Sequence, residues 1–420
     1  MQYPVSRFGY SSKAEVLRDA AKYWNPHKTQ FWIDEEIPLV IGDREGYLLT
    51  DIDGHQLVDV HLNGGTYNVG HRNPRVIAAL TEAMSFADVG NHHFPAVART
   101  ALARELVQRT PGAAKVVFGS SGGETIDVAI KSARWATGRR KIVSIVKAFH
   151  GHTGLAVGTG DQRFAARFHA DRPDEFVQVP FNDIAAMRTA LETGDVAAVI
   201  METIPATYGF PMPEPGYLAA VAAAARKNGA LYIADEVQTG LGRTGTLWAI
   251  EQEGVTPDIL VTGKGLGGGV YPVSAALLSE AAAGWLSEDG FAHMGTFGGS
   301  ELGSVVALEV LDIVTAPETV EHVRQLSEFF AAGLTRLQKQ YPHEFVGIRQ
   351  KGLVIGLEFA DDLRAQPVMR QLYKHGVWAI FSTLDPRVLQ FKPGLLLDLA
   401  TADQVLAALD TALAHLTVRV

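Results

Sequence analysis

Lys264 stands between Gly263 and Gly265, directly after an apolar run over 258–261. Upstream, Asp235 and Glu236 follow a second apolar run over 231–234. Short apolar runs bounded by glycine and acids read as buried strands. Both chemical groups therefore sit where a strand ends, and the carboxyl ends of strands are where open α/β sheets bind ligands. A lysine placed there can form a Schiff base with a carbonyl cofactor, and an Asp beside it can pair with a pyridinium nitrogen. Together they point to pyridoxal 5'-phosphate. A buried Asp paired with a structural Lys would account for the two charges but not for the glycines around Lys264.

A phosphate needs its own cradle. The run Gly119-Ser120-Ser121-Gly122-Gly123-Glu124 follows a strand over 116–118 and precedes a helical pattern. Small residues at a helix N-terminus leave backbone N–H groups free, and the helix dipole adds to them. Ser121, Gly122 and Gly123 are the cradle candidates. Phe149 closes a further strand over 142–146, where a flat ring can stack on a pyridine. His150 and His152 beside it read as structural hydrogen-bonders.

The elements that position these groups alternate. Strands over 116–118, 142–146, 196–201, 231–234 and 258–261 are separated by helical patterns such as Tyr217–Lys227. That alternation implies a mainly parallel sheet with helices on both faces. Earlier, 46–60 reads as a hairpin turning at Asp53-Gly54. A glycine-rich loop over 61–71 follows, and Asn73-Pro74 starts a helix. Asn91-His92-His93-Phe94 carries adjacent histidines, which point to opposite sides of an extended chain. No metal site is expected there. The tail has a helix over 318–340 with Val320, Val323, Leu326, Phe330, Leu334 and Leu337 on one face. A strand over 387–392 follows, and Thr401 with Gln404 reads as a capping box for the last helix.

With 420 residues and 47% hydrophobic content, the chain is long enough for two domains. A formal charge of −9 does not favour nucleic acid. There is no cysteine, so disulfides, thiolate metal sites and cysteine nucleophiles are excluded. The first twenty residues have no signal-like apolar core, and no run approaches a membrane span. A cytoplasmic protein without membrane or nucleic-acid partners is expected.

The stretch Asp235-Glu236-Val237-Gln238-Thr239-Gly240-Leu241-Gly242-Arg243-Thr244-Gly245, with the Gly263-Lys264-Gly265-Leu266 segment, resembles the class III PLP-dependent aminotransferases. The lysine segment is most like that of ornithine aminotransferase. The resemblance runs from Gly46 onward and implies fold type I. It implies a large PLP-binding domain over 56–310 and a smaller α+β domain from 1–55 and 311–420. By it, Lys264 carries the cofactor, Asp235 holds the ring nitrogen, and Val237 packs under the ring. Gln238 reaches its phenolic oxygen, and Phe149 stacks on it. Thr296, in Thr296-Phe297-Gly298-Gly299, matches a residue that binds the cofactor phosphate of a neighbouring subunit, so a homodimer with shared sites is implied. The loop over 61–71 lines the family's substrate pocket, and Tyr67 is its candidate.

This chain departs from the pattern in places. Ser120 replaces an Asn, Gly123 a Thr or Ala, and Ser300-Glu301 an Asn-Pro. Gln390 stands where many relatives hold an α-carboxylate with Arg, and Thr207 where several keep the Glu that pairs with it. Gln cannot make Arg's bidentate ion pair. Lys392, two residues on, shares a strand face with Gln390 and either replaces the Arg or ends the strand in solvent. Arg387 falls on the opposite face. The expected reaction moves an amino group from an amino-acid or amine donor to a carbonyl acceptor, with a sugar- or aminocyclitol-like acceptor favoured by the lost charges. The alternative is an amino-acid racemase or epimerase, or a phospho-lyase, of the same fold.

Overall fold

Runs of Val, Ile and Ala pack on both faces of a pleated sheet, so they form buried strands. In the computed structural model, which describes residues 4–360 and 365–417, seven strands make one sheet. Its order is Lys115–Gly119, Ser274–Leu278, Ile259–Thr262, Leu231–Asp235, Val196–Glu202, Lys141–Ile145 and Phe176–Val179. Ser274–Leu278 runs antiparallel to both neighbours, and the pairings beyond it are parallel. Successive side chains of the central strand go to different layers. Ile233 joins the cluster of helix Gly122–Thr137, while Tyr232 and Ala234 join that of helix Tyr217–Lys227. Helices thus cover both faces, the α/β architecture of fold type I.

Two further four-stranded sheets flank this layer. The first orders Ile41–Glu45, Leu48–Asp51, Gln56–Asp59 and Val377–Trp378, so a late strand completes an early hairpin. The second orders Phe345–Lys351, Val354–Phe359, Asp385–Phe391 and Ile380–Ser382, all antiparallel. One apolar cluster joins both, from Ile37 and Leu57 to Phe391 and Leu413. We propose it as the core of the smaller domain, expected over 1–55 and 311–420, with the N-terminal part carried past 55 through strand Gln56–Asp59. Phe31 and Trp32 pack on this side, with Trp32 5.3 Å from the Trp378 ring. Among the described residues no helix is long and apolar enough to cross a membrane.

Two local expectations are corrected. Helix Pro317–Gln340 buries Val323, Leu326, Phe330, Leu334 and Leu337, but Val320 is 42% exposed. The buried stripe runs through Thr319, Val323, Leu326 and Phe330, and Val320 sits one residue round the helix from it. The last helix, Leu399–Thr417, is not capped by Thr401. The Thr401 N–H donates to Asp398 Oδ1 at 2.8 Å and its hydroxyl to Asp398 Oδ2 at 2.7 Å. The helix begins a turn earlier than the Thr-Gln spacing implies, because an Asp three residues upstream takes the free N–H.

Candidate active site

Parallel pairing sets Glu202 opposite Asp235 at the ends of adjacent strands. Both are buried. Asp235 Oδ2 accepts from His150 Nδ1 at 2.7 Å, and Oδ1 accepts from the Val237 N–H at 3.0 Å. Glu202 Oε1 accepts from the Phe149 N–H at 3.2 Å, and Oε2 from the Ala206 N–H at 3.0 Å. Burial pushes the Glu202 carboxyl up to about 7; His150 pulls it down and Asp235 pushes it further up. Glu202 therefore fixes both the loop that carries Phe149 and the loop that follows its own strand.

Lys264 starts a tight turn after Ile259–Thr262, with φ 43°. Desolvation lowers its pKa, while Asp235 and Glu202 draw it back up. The loop over 61–68 crosses above it. Leu62, Asn63, Gly64 and Gly65 all have positive φ, from 47° to 96°. Non-glycine residues there cost about 1–2 kcal/mol each. Asp59 holds the turn, its Oδ1 accepting from the Leu62 N–H at 2.7 Å and the His61 N–H at 3.0 Å. A Cβ on Gly64 would lie 2.8 Å from Lys264 Cε at a φ of 76°, so a side chain there would press on the lysine as well as strain the backbone.

Ser121 caps helix Gly122–Thr137, its side chain accepting from the Glu124 N–H, and is itself exposed. The N–H groups of the first turn, Gly122 and Gly123 among them, are those a helix leaves without an internal partner. Glycines also let two segments meet. A Cβ on Gly123 would lie 2.7 Å from Thr153 Oγ1, and one on Gly151 would lie 2.8 Å from Gly123 Cα. One cavity of about 220 Å³ is lined by Gly122, Gly123, Phe149, His150, Gly151, Glu202, Asp235, Val237, Gln238 and Lys264. Gln238 Oε1 is enclosed there with no partner, as is His150 Nε2. A larger groove of about 860 Å³ runs between 44–48 and 396–401. It contains none of these groups, so size does not identify the site.

The cavity thus gathers Lys264, Asp235, Val237, Gln238, Phe149, Gly122 and Gly123. It does not gather the others. Thr296 is exposed and off its own chain's cavity. Tyr67 packs on His71, rings 3.8 Å apart, and blocks any side chain at Gly269. Gln390 and Lys392 are buried, 7% and 1% exposed, and neither lines the cavity. Lys392 is therefore not a lysine at a solvated strand end. Arg387 pairs with Glu358 and Asp385. The role of Glu202 and the His150–Asp235 contact are additions from the structure. The one sequence signal for Glu202 was an acid ending a buried strand.

Comparison with known proteins agrees with this geometry. A family model described as aminotransferase class-III matches residues 33–413. An uncharacterized aminotransferase of Archaeoglobus fulgidus is 42% identical over 399 residues, covering 94% of this chain and 93% of its own. The structure of the ornithine aminotransferase of Toxoplasma gondii superposes with a TM-score of 0.86 at 26% identity, over 98% of this chain and 100% of that one. A second structure of that enzyme, TM-score 0.83 at 26% identity over 96% and 98%, has pyridoxal phosphate at partial occupancy in its active site.

Proposed function

The chain belongs to the class III aminotransferases, and on that footing we propose that it moves an amino group from a carboxylate-bearing amine donor to a carbonyl acceptor held through neutral groups. A sugar- or aminocyclitol-like acceptor is the class proposed. Its cofactor is pyridoxal phosphate. The residues present fit that group. Gln238 Oε1 is enclosed without a partner, placed to accept a hydrogen bond from a phenol O–H. The converging glycines leave room where side chains would fill the cradle. The observation that carries the reading is Lys264 facing an Asp235 already fixed by two donors, inside one cavity.

When bound, pyridoxal phosphate supplies an aldehyde that condenses with amines and a pyridinium ring that takes up the electron pair a departing proton leaves behind. The chain's own groups do the rest. Gly122 and Gly123 N–H groups at the helix start bind the phosphate, with Ser121 holding that start. Asp235 keeps a proton on the ring nitrogen, its carboxylate aimed by His150 Nδ1 and the Val237 N–H. Phe149 and Val237 confine the ring's faces. Lys264 Nζ, its proton affinity reduced by burial, takes a proton from the substrate's amine-bearing carbon and returns it elsewhere. Thr296 serves the site of a second copy in a homodimer, which its exposure and that of Phe291, Met294 and Phe297 around it support. A neutral acceptor is supported by Gln390, whose amide already bonds within the protein and offers no guanidinium.

The test is a panel of single additions of amines to the holoenzyme, read by absorbance and by analysis of the released product. Transamination is expected to convert the cofactor to its aminated form with one carbonyl product per site, and sugar-like carbonyls to restore it. Hydrogen exchange at the amine's carbon with no carbonyl product would point instead to a racemase and overturn the reading. Mixing Lys264→Ala with a Thr296→Ala chain should restore activity if sites are shared.

A further inference from the structure

The strand Asp385–Phe391 runs on into Lys392, whose backbone N–H donates to Val60 O at 2.6 Å. Its side chain is sealed, with 1% of the residue exposed. Nζ donates to Gln390 Oε1 and stands 5.1 Å from the centre of the Phe210 ring. The orientation of Gln390 is not free. Its Nε2 donates to Ala206 O at 3.1 Å and to Ser382 Oγ at 3.0 Å, so only its oxygen can face the lysine. An amide oxygen is a neutral partner. Burying an ammonium without a counter-anion is strongly unfavourable.

Among the described residues no carboxylate lies within ion-pairing distance of Lys392. Asp59 and Glu202 act on it only from farther away. Their oxygens are already engaged, Asp59 by His61 N–H, Leu62 N–H and His71, and Glu202 by two backbone N–H groups. Burial, Arg243 and Lys264 all press Lys392 toward its neutral form. His61 lies on the neighbouring segment. Its Nδ1 is enclosed with no partner, and both Lys392 and Lys264 act on it electrostatically. Two nitrogen groups short of partners therefore stand on adjoining segments, and the loop that His61 begins meets Lys264 at Gly64. A residue that only packed here would do so at less cost as Met, which has similar length and no charge to desolvate.

We propose that Lys392, supported by His61, is the receptor for a carboxylate of the amine donor. The carboxylate displaces Gln390 Oε1 from Nζ and supplies the counter-ion that the fold omits. The guanidinium missing at position 390 is thereby replaced by an ammonium two residues on, on the same strand face. This rests on the aminotransferase reading for the word donor, but the receptor itself is testable without turnover.

The probe is glutarate, with glutaramide as its uncharged counterpart, titrated calorimetrically into the holoenzyme. Wild type is expected to bind glutarate saturably. Lys392→Met should weaken glutarate about tenfold or more and leave glutaramide unchanged, and Lys392→Arg should restore most of the loss. Gln390→Glu hands Lys392 a fixed counter-ion and should weaken glutarate in the same direction, which keeps the test open should Lys392→Met not fold. In kinetics, Lys392→Met should raise KM for glutamate and spare an amine without a carboxylate. Absent glutarate binding to wild type, or equal binding by wild type, Lys392→Met and Gln390→Glu, overturns the receptor. If Lys392 governs glutarate binding yet no amine converts the cofactor, the receptor stands and the aminotransferase reading falls.

Discussion

The two sides of Lys264 are built on opposite plans. On the strand-end side every carboxylate oxygen near it has a fixed donor. Asp235 is held by His150 and the Val237 N–H, and Glu202 by the N–H groups of Phe149 and Ala206. Glu236, next in the chain, accepts from Thr203, Thr239 and the Ala249 and Ile250 N–H groups. On the other side the groups are basic nitrogens short of partners. Lys392 has one neutral acceptor, His61 Nδ1 has none, and Arg243 keeps Nε unpaired while its other nitrogens reach Leu353 O, Pro393 O and Asn68. A saturated carboxylate cannot turn to follow a ligand, and an unsaturated cation gains when one arrives. The first side therefore reads as permanent chemistry and the second as a place for exchangeable substrates.

The sharpest break of that contrast is at its centre. Lys264→Ala is expected to lower turnover by about 10⁴-fold and to abolish cofactor labelling by borohydride. Label on another lysine would move the whole comparison. Next comes the fixed side. Asp235→Ala should lower kcat on the order of 10²–10³-fold while cofactor content, read by absorbance, persists through the cradle. Near-normal kcat would show that the carboxylate is not at the ring nitrogen.

A smaller effect probes the roof between the two sides. Gly64→Ala puts a methyl against Lys264 Cε at a φ of 76°, so cofactor loading should slow and fall about tenfold. Unchanged loading would mean the loop yields. The smallest test is of stability. Folding raises the Glu202 pKa from 4.5 to about 7, so the folded chain holds that proton more tightly than the unfolded one. The resulting stability is complete below the unfolded pKa and is lost as pH rises through the folded one. Relative to Glu202→Gln, wild type should lose up to about 3 kcal/mol between pH 5 and 8, measured as Tm or by denaturant. A flat difference would show that Glu202 is not desolvated.

That Lys264, Asp235, Gly122, Gly123 and Phe149 stand near strand ends was legible in the sequence because each placement depends on local pattern: an apolar run, then a polar or glycine break. The parallel sheet was legible for the same reason, since strand and helix periods alternate along the chain. Contacts across long separations were decided only by the tertiary structure. His150 meets Asp235 across 85 positions, and Gly64 reaches Lys264 only because Asp59 holds a left-handed turn above it. Strand Val377–Trp378 pairs with Gln56–Asp59, a partnership no periodicity reveals. The side chain of Lys392 shows the limit most directly. Strand alternation placed it on the face of Gln390, but whether that face met solvent or protein depended on the loop over 203–210 closing over it. Burial is a property of what the rest of the chain brings near, and a period of two residues carries no information about that.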